Sequence, residues 1–120
     1  MLIRALEPLE GETLMRRRRA RGTGRRAADF TTAELCRGPG NLTRALGIAL
    51  RHNRLDLTAG ALRFEDAGLP AREVAWSPRV GIAVGTDAEW RCYAPGSPAV
   101  SGRRVSAARG PEPARSGRGR

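Results

Sequence analysis

A single stripe of apolar residues at helical spacing constrains the fold of this chain more than any other feature. Apolar side chains recur at positions i, i+3, i+4, i+7 and i+8, namely Leu42, Ala45, Leu46, Ala49 and Leu50. That spacing places them on one face of an α-helix. Proline is favoured at the first helical position, so Gly38-Pro39-Gly40 predicts the start of the helix. A chain of 120 residues has room for one small core, which this helix helps to form.

Two shorter helical segments are predicted before this helix. The first runs from Glu10 to about Arg19, because acidic residues fall in its first turn and arginines in its last, which matches the helix dipole. The second is a helical turn that begins at Thr31, because Thr31 and Glu34 have the spacing of a capping box.

Strand-like pieces account for most of the remaining pattern. Leu2–Leu6 predicts a strand that Pro8 ends, because proline cannot donate to a ladder. Beyond Asn53, short alternating segments lie between turn-forming residues. These further predicted strands are Ala61–Phe64, Val74–Trp76, Arg79–Val84 and Trp90–Tyr93. The combination predicts a mixed α/β fold of the α+β type.

The charge of the chain favours a nucleic-acid partner. All 22 basic residues are arginine, a preference that a GC-rich coding bias explains, and the formal net charge is +10. The densest run lies between Arg16 and Arg26, and it admits two interpretations, a solvated helix end or a phosphate-binding surface. The density of like charge favours the second. Residues 102–120 contain six arginines among Gly, Pro, Ser and Ala, a composition typical of a disordered basic tail.

Several classes of protein and site are excluded by composition. No apolar run approaches the roughly 18 residues of a membrane span, and the first residues lack the pattern of a secretory signal. Cys36 and Cys92 stand far apart, so neither a zinc site nor a disulfide framework is expected. His52 is the single histidine, which argues against a metal cluster. We expect no metal and no cofactor.

Short motifs in a fixed order carry a resemblance to a known family. The motifs are Leu2-Ile3-Arg4-Ala5-Leu6-Glu7-Pro8-Leu9-Glu10-Gly11, Leu14-Met15-Arg16, Leu35-Cys36-Arg37-Gly38-Pro39-Gly40-Asn41-Leu42 with Ala45-Leu46-Gly47-Ile48, Pro78-Arg79-Val80-Gly81-Ile82, Trp90-Arg91-Cys92-Tyr93 and Val100-Ser101. From Leu2 to Ser101, this succession resembles the C-terminal half of the 3-methyladenine DNA glycosylase family, the alkyladenine or methylpurine DNA glycosylases.

The resemblance implies a monofunctional enzyme of DNA base-excision repair. Such an enzyme flips an alkylated or deaminated purine out of double-stranded DNA and hydrolyses its N-glycosidic bond with an activated water, without metal or cofactor. A basic surface that holds the DNA backbone agrees with this activity, and a damaged base costs less to extrude than a sound one. The expected protein is a monomer in its full-length form, cytoplasmic and nucleoid-associated in a bacterial cell, with no membrane partner.

The resemblance also assigns roles to individual residues. Arg4 is expected to help place the nucleophilic water, and the backbone carbonyl of Val80 to line the same water. In the family, Lys or Arg is usual at the position of Asn41, and a small residue is common at that of Arg37, so Arg37 takes over that charge. The expected DNA-binding residues are Arg37, Gly38, Gly40, Asn41, Arg79 and Gly81.

The resemblance sets the expected domain organisation. Residues 1–101 form the C-terminal portion of a single mixed α/β domain with a curved antiparallel sheet and outer helices, and residues 102–120 are a disordered tail. The family's catalytic glutamate belongs to an N-terminal half that would lie upstream of Met1. We therefore expect a truncated chain, or one with a misassigned start, that is inactive alone. The alternatives are a non-catalytic basic DNA- or RNA-binding protein and a non-functional fragment.

Overall fold

The computed structural model describes residues 1–70 and 72–101, and the predicted tail over 102–120 lies outside this part. Its helices are α1 (Glu12–Ala20), α2 (Thr32–Leu35) and α3 (Pro39–Leu46), with 3₁₀ turns at Ala27–Asp29 and Leu50–His52, and its strands are β1 (Ala75–Ser77) and β2 (Arg91–Tyr93). The prediction of a mixed α/β fold is confirmed. The described residues divide into a helical unit, residues 1–70 with 96–101, and a strand unit, residues 72–95.

The hydrophobic core of the helical unit is formed by α2, α3 and the loops beside them. Leu35 in α2 is fully buried, and Leu42 and Ala45 present the apolar face of α3. The buried cluster consists of Phe30, Leu35, Cys36, Leu42 and Ala45, and the partly buried Ile3, Met15, Ala20, Leu46 and Ile48 pack against it. The first three residues of the apolar stripe therefore contribute to the core, as their spacing predicted.

Glycines define both ends of α3. Gly38 precedes the helix at φ +98°, Pro39 takes the first helical position, and Gly47 ends the helix in the left-handed region at φ +71°. The prediction that the stripe continues to Ala49 and Leu50 was wrong. A left-handed glycine is a common helix terminator, and Leu50 is 94% exposed.

The predicted capping box begins α2. The backbone N–H of Thr31 donates to Glu34 Oε2 at 2.9 Å, and the backbone N–H of Glu34 donates to the Thr31 carbonyl at 3.1 Å. These bonds satisfy donors that the first turn of a helix leaves free. Helix α1 begins at Glu12, two residues later than predicted, because Gly11 adopts a left-handed conformation at φ +75°.

The prediction of a strand over Leu2–Leu6 was only partly correct. Ala5 forms an isolated antiparallel bridge with Arg37, and the Leu6 N–H donates to the Cys36 carbonyl at 3.3 Å. The rest of the segment forms no regular strand. A ladder needs a partner along its whole length, and the chain after Arg37 turns into α3.

The strand unit contains a two-stranded antiparallel sheet. Ala75 pairs with Tyr93, and Ser77 with Arg91, so β1 is displaced by one residue from its predicted position. The predictions of strands over 61–64 and 79–84 were wrong, since both segments form turns, bends and irregular backbone. Gly81, with a positive φ, interrupts the second of these segments, and Gly85, also with a positive φ, directly follows it. Among the described residues, no helix is long and apolar enough to cross a membrane.

Candidate functional site

The start of α3 presents backbone donors to solvent. Gly38 carries the chain into the helix at φ +98° and ψ 152°, and the Leu42 N–H makes the first bond of the helix, to the Gly38 carbonyl at 2.9 Å. The N–H groups of Gly40 and Asn41 lie in the first turn, where a helix leaves its donors without an intrahelical acceptor. Donors at the positive end of a helix dipole attract anions such as phosphate.

The bridge between Ala5 and Arg37 brings the N-terminal segment to this turn. Antiparallel pairing of these two residues places Arg4 on one segment beside Gly38 on the other. The side chains of Arg4 and Arg37 are both exposed. The structure thus brings together two residues that the family resemblance named for separate roles, Arg4 and Gly38.

The side chain of Asn41 is engaged within the protein. Its Nδ2 donates to the Arg37 carbonyl at 2.8 Å, and its Oδ1 accepts a hydrogen bond from Arg19 Nη1. The predicted DNA contact of Asn41 is therefore available through its backbone N–H, while its amide group joins α1 to the residue before Gly38.

The arginines of the basic run in α1 differ from one another in their contacts and in their exposure to solvent. Arg16 donates to Glu12 at 2.9 Å, and Arg18 donates to the Ala45 carbonyl near the end of α3 at 3.1 Å. Arg19 is only 7% exposed. The buried Arg19 therefore does not fit the interpretation of the whole run as a phosphate-binding surface, and Arg18 directs one guanidinium nitrogen to α3. Four consecutive arginines carry no sequence signal that tells these two from their neighbours.

The arginines beyond α1 also contact the protein. The Arg25 guanidinium lies 3.9 Å from the centre of the Phe30 ring, and its Nη2 donates to the Asp29 carbonyl at 2.7 Å. Arg26 pairs with the Asp29 carboxylate at 3.0 Å. Hydrogen bonds from the Arg26 side chain and backbone lower the pKa of Asp29. These pairs fix the loop between α1 and α2 but leave both guanidiniums partly accessible to solvent.

The strand unit contains the remaining predicted residues, Arg79, Val80 and Gly81. All three are exposed in the turn that follows β1. Gly81 adopts φ +79°, and a Cβ at this position would meet no atom within 4 Å. The main chain here is open to solvent, as the predicted contact with a DNA strand requires.

Hydrogen bonds lower the pKa of two carboxyl groups at the helix starts of the helical unit, Glu12 and Glu34. The Thr32 hydroxyl donates to Glu12 at 2.7 Å, and this bond together with that from Arg16 lowers the pKa of Glu12. Bonds from the backbone and hydroxyl of Thr31 lower the pKa of Glu34. Within residues 1–70 and 72–101, no group of three or more His, Cys, Asp or Glu residues is arranged to hold a metal ion.

Comparison with known proteins decides the family. The family model for methylpurine-DNA glycosylase matches residues 1–98, which include α1 to α3 and both strands. The chain belongs to the methylpurine-DNA glycosylase family. This finding confirms the resemblance drawn from the motifs.

Curated relatives in several bacteria agree with this assignment. A protein of Burkholderia lata named "Putative 3-methyladenine DNA glycosylase" is 45% identical over 105 residues, which cover 85% of this chain and 47% of that protein. Proteins with the same name in Nocardia farcinica and Rubrobacter xylanophilus are 43% and 40% identical, over 88% of this chain and 48% of each relative. The chain thus spans about half the length of the methylpurine-DNA glycosylase relatives it matches.

Proposed function

We propose that this chain supplies the DNA-backbone contacts and the water-positioning arginine of a DNA glycosylase that removes alkylated or deaminated purines from duplex DNA. The observation that carries the proposal is the bridge that sets Arg4 beside the turn at the start of α3, in a chain of the methylpurine-DNA glycosylase family. A phosphate bound at the N–H groups of Gly40 and Asn41 then lies next to the arginine that meets the reacting sugar.

The formal charge of +10 supports a polyanionic partner. Phosphate neutralisation supplies most of the sequence-independent affinity of a protein for DNA. Exposed Arg37 adds a guanidinium beside the turn, and guanidiniums form bidentate bonds with phosphate oxygens. Binding at this turn positions the duplex and carries no base specificity.

The chemistry needs one activated water. Its oxygen bonds to C1′ of the deoxyribose, the C1′–N bond breaks, and the purine leaves with the electron pair of that bond. The proton of the water passes to a general base. As the family resemblance implies, Arg4 orients this water by donating a hydrogen bond to its oxygen.

We further propose that the 120-residue chain excises no base by itself. Glu12, Asp29, Glu34 and Asp56 all have lowered pKa values because hydrogen bonds stabilise their ionised forms. A carboxylate stabilised in this way is a weak base. As the family resemblance implies, the general base is the glutamate of the half of the relatives that this chain does not match.

Single-turnover excision of hypoxanthine from a duplex tests this function. The chain alone is expected to release no base, and its fusion to the unmatched half of the Burkholderia lata relative is expected to release it. In the fusion, Arg4→Ala should slow excision by about 100-fold or more, since one preorganised donor at a reacting centre is worth that much. Arg51→Ala, which removes another exposed arginine, should leave the rate unchanged.

Two results would contradict the proposal. Base release by the 120-residue chain alone would show that its own carboxyls suffice. An inactive fusion that still binds the duplex would favour the second candidate, a non-catalytic DNA-binding protein, which the high positive charge also supports.

A further inference from the structure

Arg19 is a buried cation that no carboxylate neutralises directly. Its side chain is packed between α1 and the start of α3, with the guanidinium 5.1 Å from the centre of the Phe30 ring. None of the ion pairs among the described residues includes it, and its buried Nε has no hydrogen-bond partner there. Burial first, and then the charges of Arg44 and Arg25, lower the pKa of Arg19. A cation in such surroundings is costly to the fold.

Hydrogen bonds connect the Arg19 side chain to the turn at the start of α3. Arg19 Nη1 donates to Asn41 Oδ1, and the same amide donates through Nδ2 to the Arg37 carbonyl at 2.8 Å. Asn41 thus has both its polar atoms committed, one to α1 and one to the residue before Gly38. Because an amide group is planar and rigid, fixing its oxygen also fixes the direction of its nitrogen.

We propose that Arg19 is a positioning residue for DNA-phosphate binding, which holds the turn from Arg37 to Asn41 in its binding geometry through the Asn41 side chain. The inference rests on the proposed function, since it assigns a role in that site to a residue that does not touch DNA. With the Arg37 carbonyl bonded to Asn41, the peptide between Arg37 and Gly38 has one orientation. The N–H groups of Gly40 and Asn41 then keep a fixed direction toward solvent.

Arg18 provides a matched control within the same helix. It also reaches from α1 to α3, but it donates to the Ala45 carbonyl at the opposite end of α3, at 3.1 Å. Arg18→Met and Arg19→Met remove the same formal charge, and each breaks one link between the two helices. Only the second breaks the link to the turn.

The test is the binding of the 120-residue chain to a fluorescently labelled, undamaged duplex, measured by anisotropy over a range of salt. Arg19→Met and Asn41→Ala should each weaken binding about tenfold and reduce the slope of log affinity against log salt by about one, as the loss of one phosphate contact does. The double variant should be no weaker than the weaker single variant, because both changes cut the same link. Arg18→Met should lower the melting temperature but retain the wild-type slope.

Amide hydrogen exchange gives a second readout that needs no DNA. The Leu42 N–H is bonded to the Gly38 carbonyl at 2.9 Å. Its exchange rate, divided by that of the Met15 N–H of α1, should be higher in Arg19→Met and Asn41→Ala than in Arg18→Met. If Arg19→Met fails to fold, Asn41→Ala, a substitution at a half-buried position, provides the same test.

The outcomes separate the two proposals. If the wild-type chain binds no duplex, the proposed function is overturned, and hydrogen exchange alone decides whether Arg19 holds the turn. If the wild type binds but Arg19→Met matches Arg18→Met in affinity and slope, or if the two single effects add, Arg19 has only a structural role and this inference is overturned.

Discussion

The helical unit and the strand unit differ in how they bury their large apolar side chains. Phe30 and Leu42 of the helical unit are 2% and 6% exposed, whereas Trp76 and Val84 of the strand unit are 45% and 86% exposed. The hydrophobic core cluster of the described residues lies wholly in the helical unit. The difference teaches that packing among α2, α3 and the loops beside them buries large apolar side chains that the two-stranded sheet leaves exposed.

The largest expected effect is the loss of Leu35 from the core. Leu35 is fully buried, so Leu35→Ala should lower the free energy of unfolding by about 2–5 kcal/mol, through lost burial and the cavity it leaves. Urea unfolding followed by circular dichroism of the helices measures the change. Trp90→Ala, at a position 73% exposed in the strand unit, should change it by less than about 0.5 kcal/mol. Equal losses of unfolding free energy in Leu35→Ala and Trp90→Ala would show that the two units do not differ in how they bury large apolar side chains.

A smaller effect is expected at the end of α3. A Cβ on Gly47, at φ +71°, would lie 3.0 Å from the Arg18 guanidinium carbon. Gly47→Ala should therefore destabilise the helical unit by about 1–2 kcal/mol, the usual cost of a left-handed residue with a Cβ. Gly85 has the same φ of +71° with no atom within 4 Å, and Gly85→Ala should leave helix unfolding unchanged. A lower midpoint in both variants would show that the strand unit supports the helices.

The smallest expected effect is a loss of stability in acid. The folded helical unit lowers the pKa of Glu34 from its ordinary 4.5 through hydrogen bonds from Thr31, so it favours the ionised carboxylate. This contribution is complete above pH 4.5 and is lost as the pH falls through the lowered pKa. The melting temperature should fall below pH 4.5, and less steeply in Glu34→Gln. Parallel curves for the two proteins would show that the capping box adds no acid-sensitive stability.

Local signals in the sequence predicted the parts of the fold that local chemistry controls. Pro39 fixed the start of α3, and the pairing of Thr31 with Glu34 marked α2. Gly47 is a termination signal as well, and the helical spacing of the apolar residues at 49 and 50 does not reflect it. The stripe shows that helical spacing does not extend a helix through a left-handed glycine.

Tertiary contacts account for what the sequence did not predict. The alternation in residues 79–84 resembles a strand, yet strands depend on partners that local pattern does not specify. For the candidate site, the motifs indicated the turn at Gly38 and the arginine at position 4. They gave no sign that Arg19 is buried or that Asn41 joins it to Arg37, because the contact between Arg19 and Asn41 links residues 22 positions apart.

We propose that duplex DNA binds at the turn that begins α3. Amide NMR of the 120-residue chain, titrated with an undamaged duplex at low salt, tests this binding directly. We expect the N–H resonances of Gly40 and Asn41 to shift the most, and those of Arg4 and Arg37 to shift as well. A titration in which the duplex binds while Gly40 and Asn41 remain unshifted would contradict it.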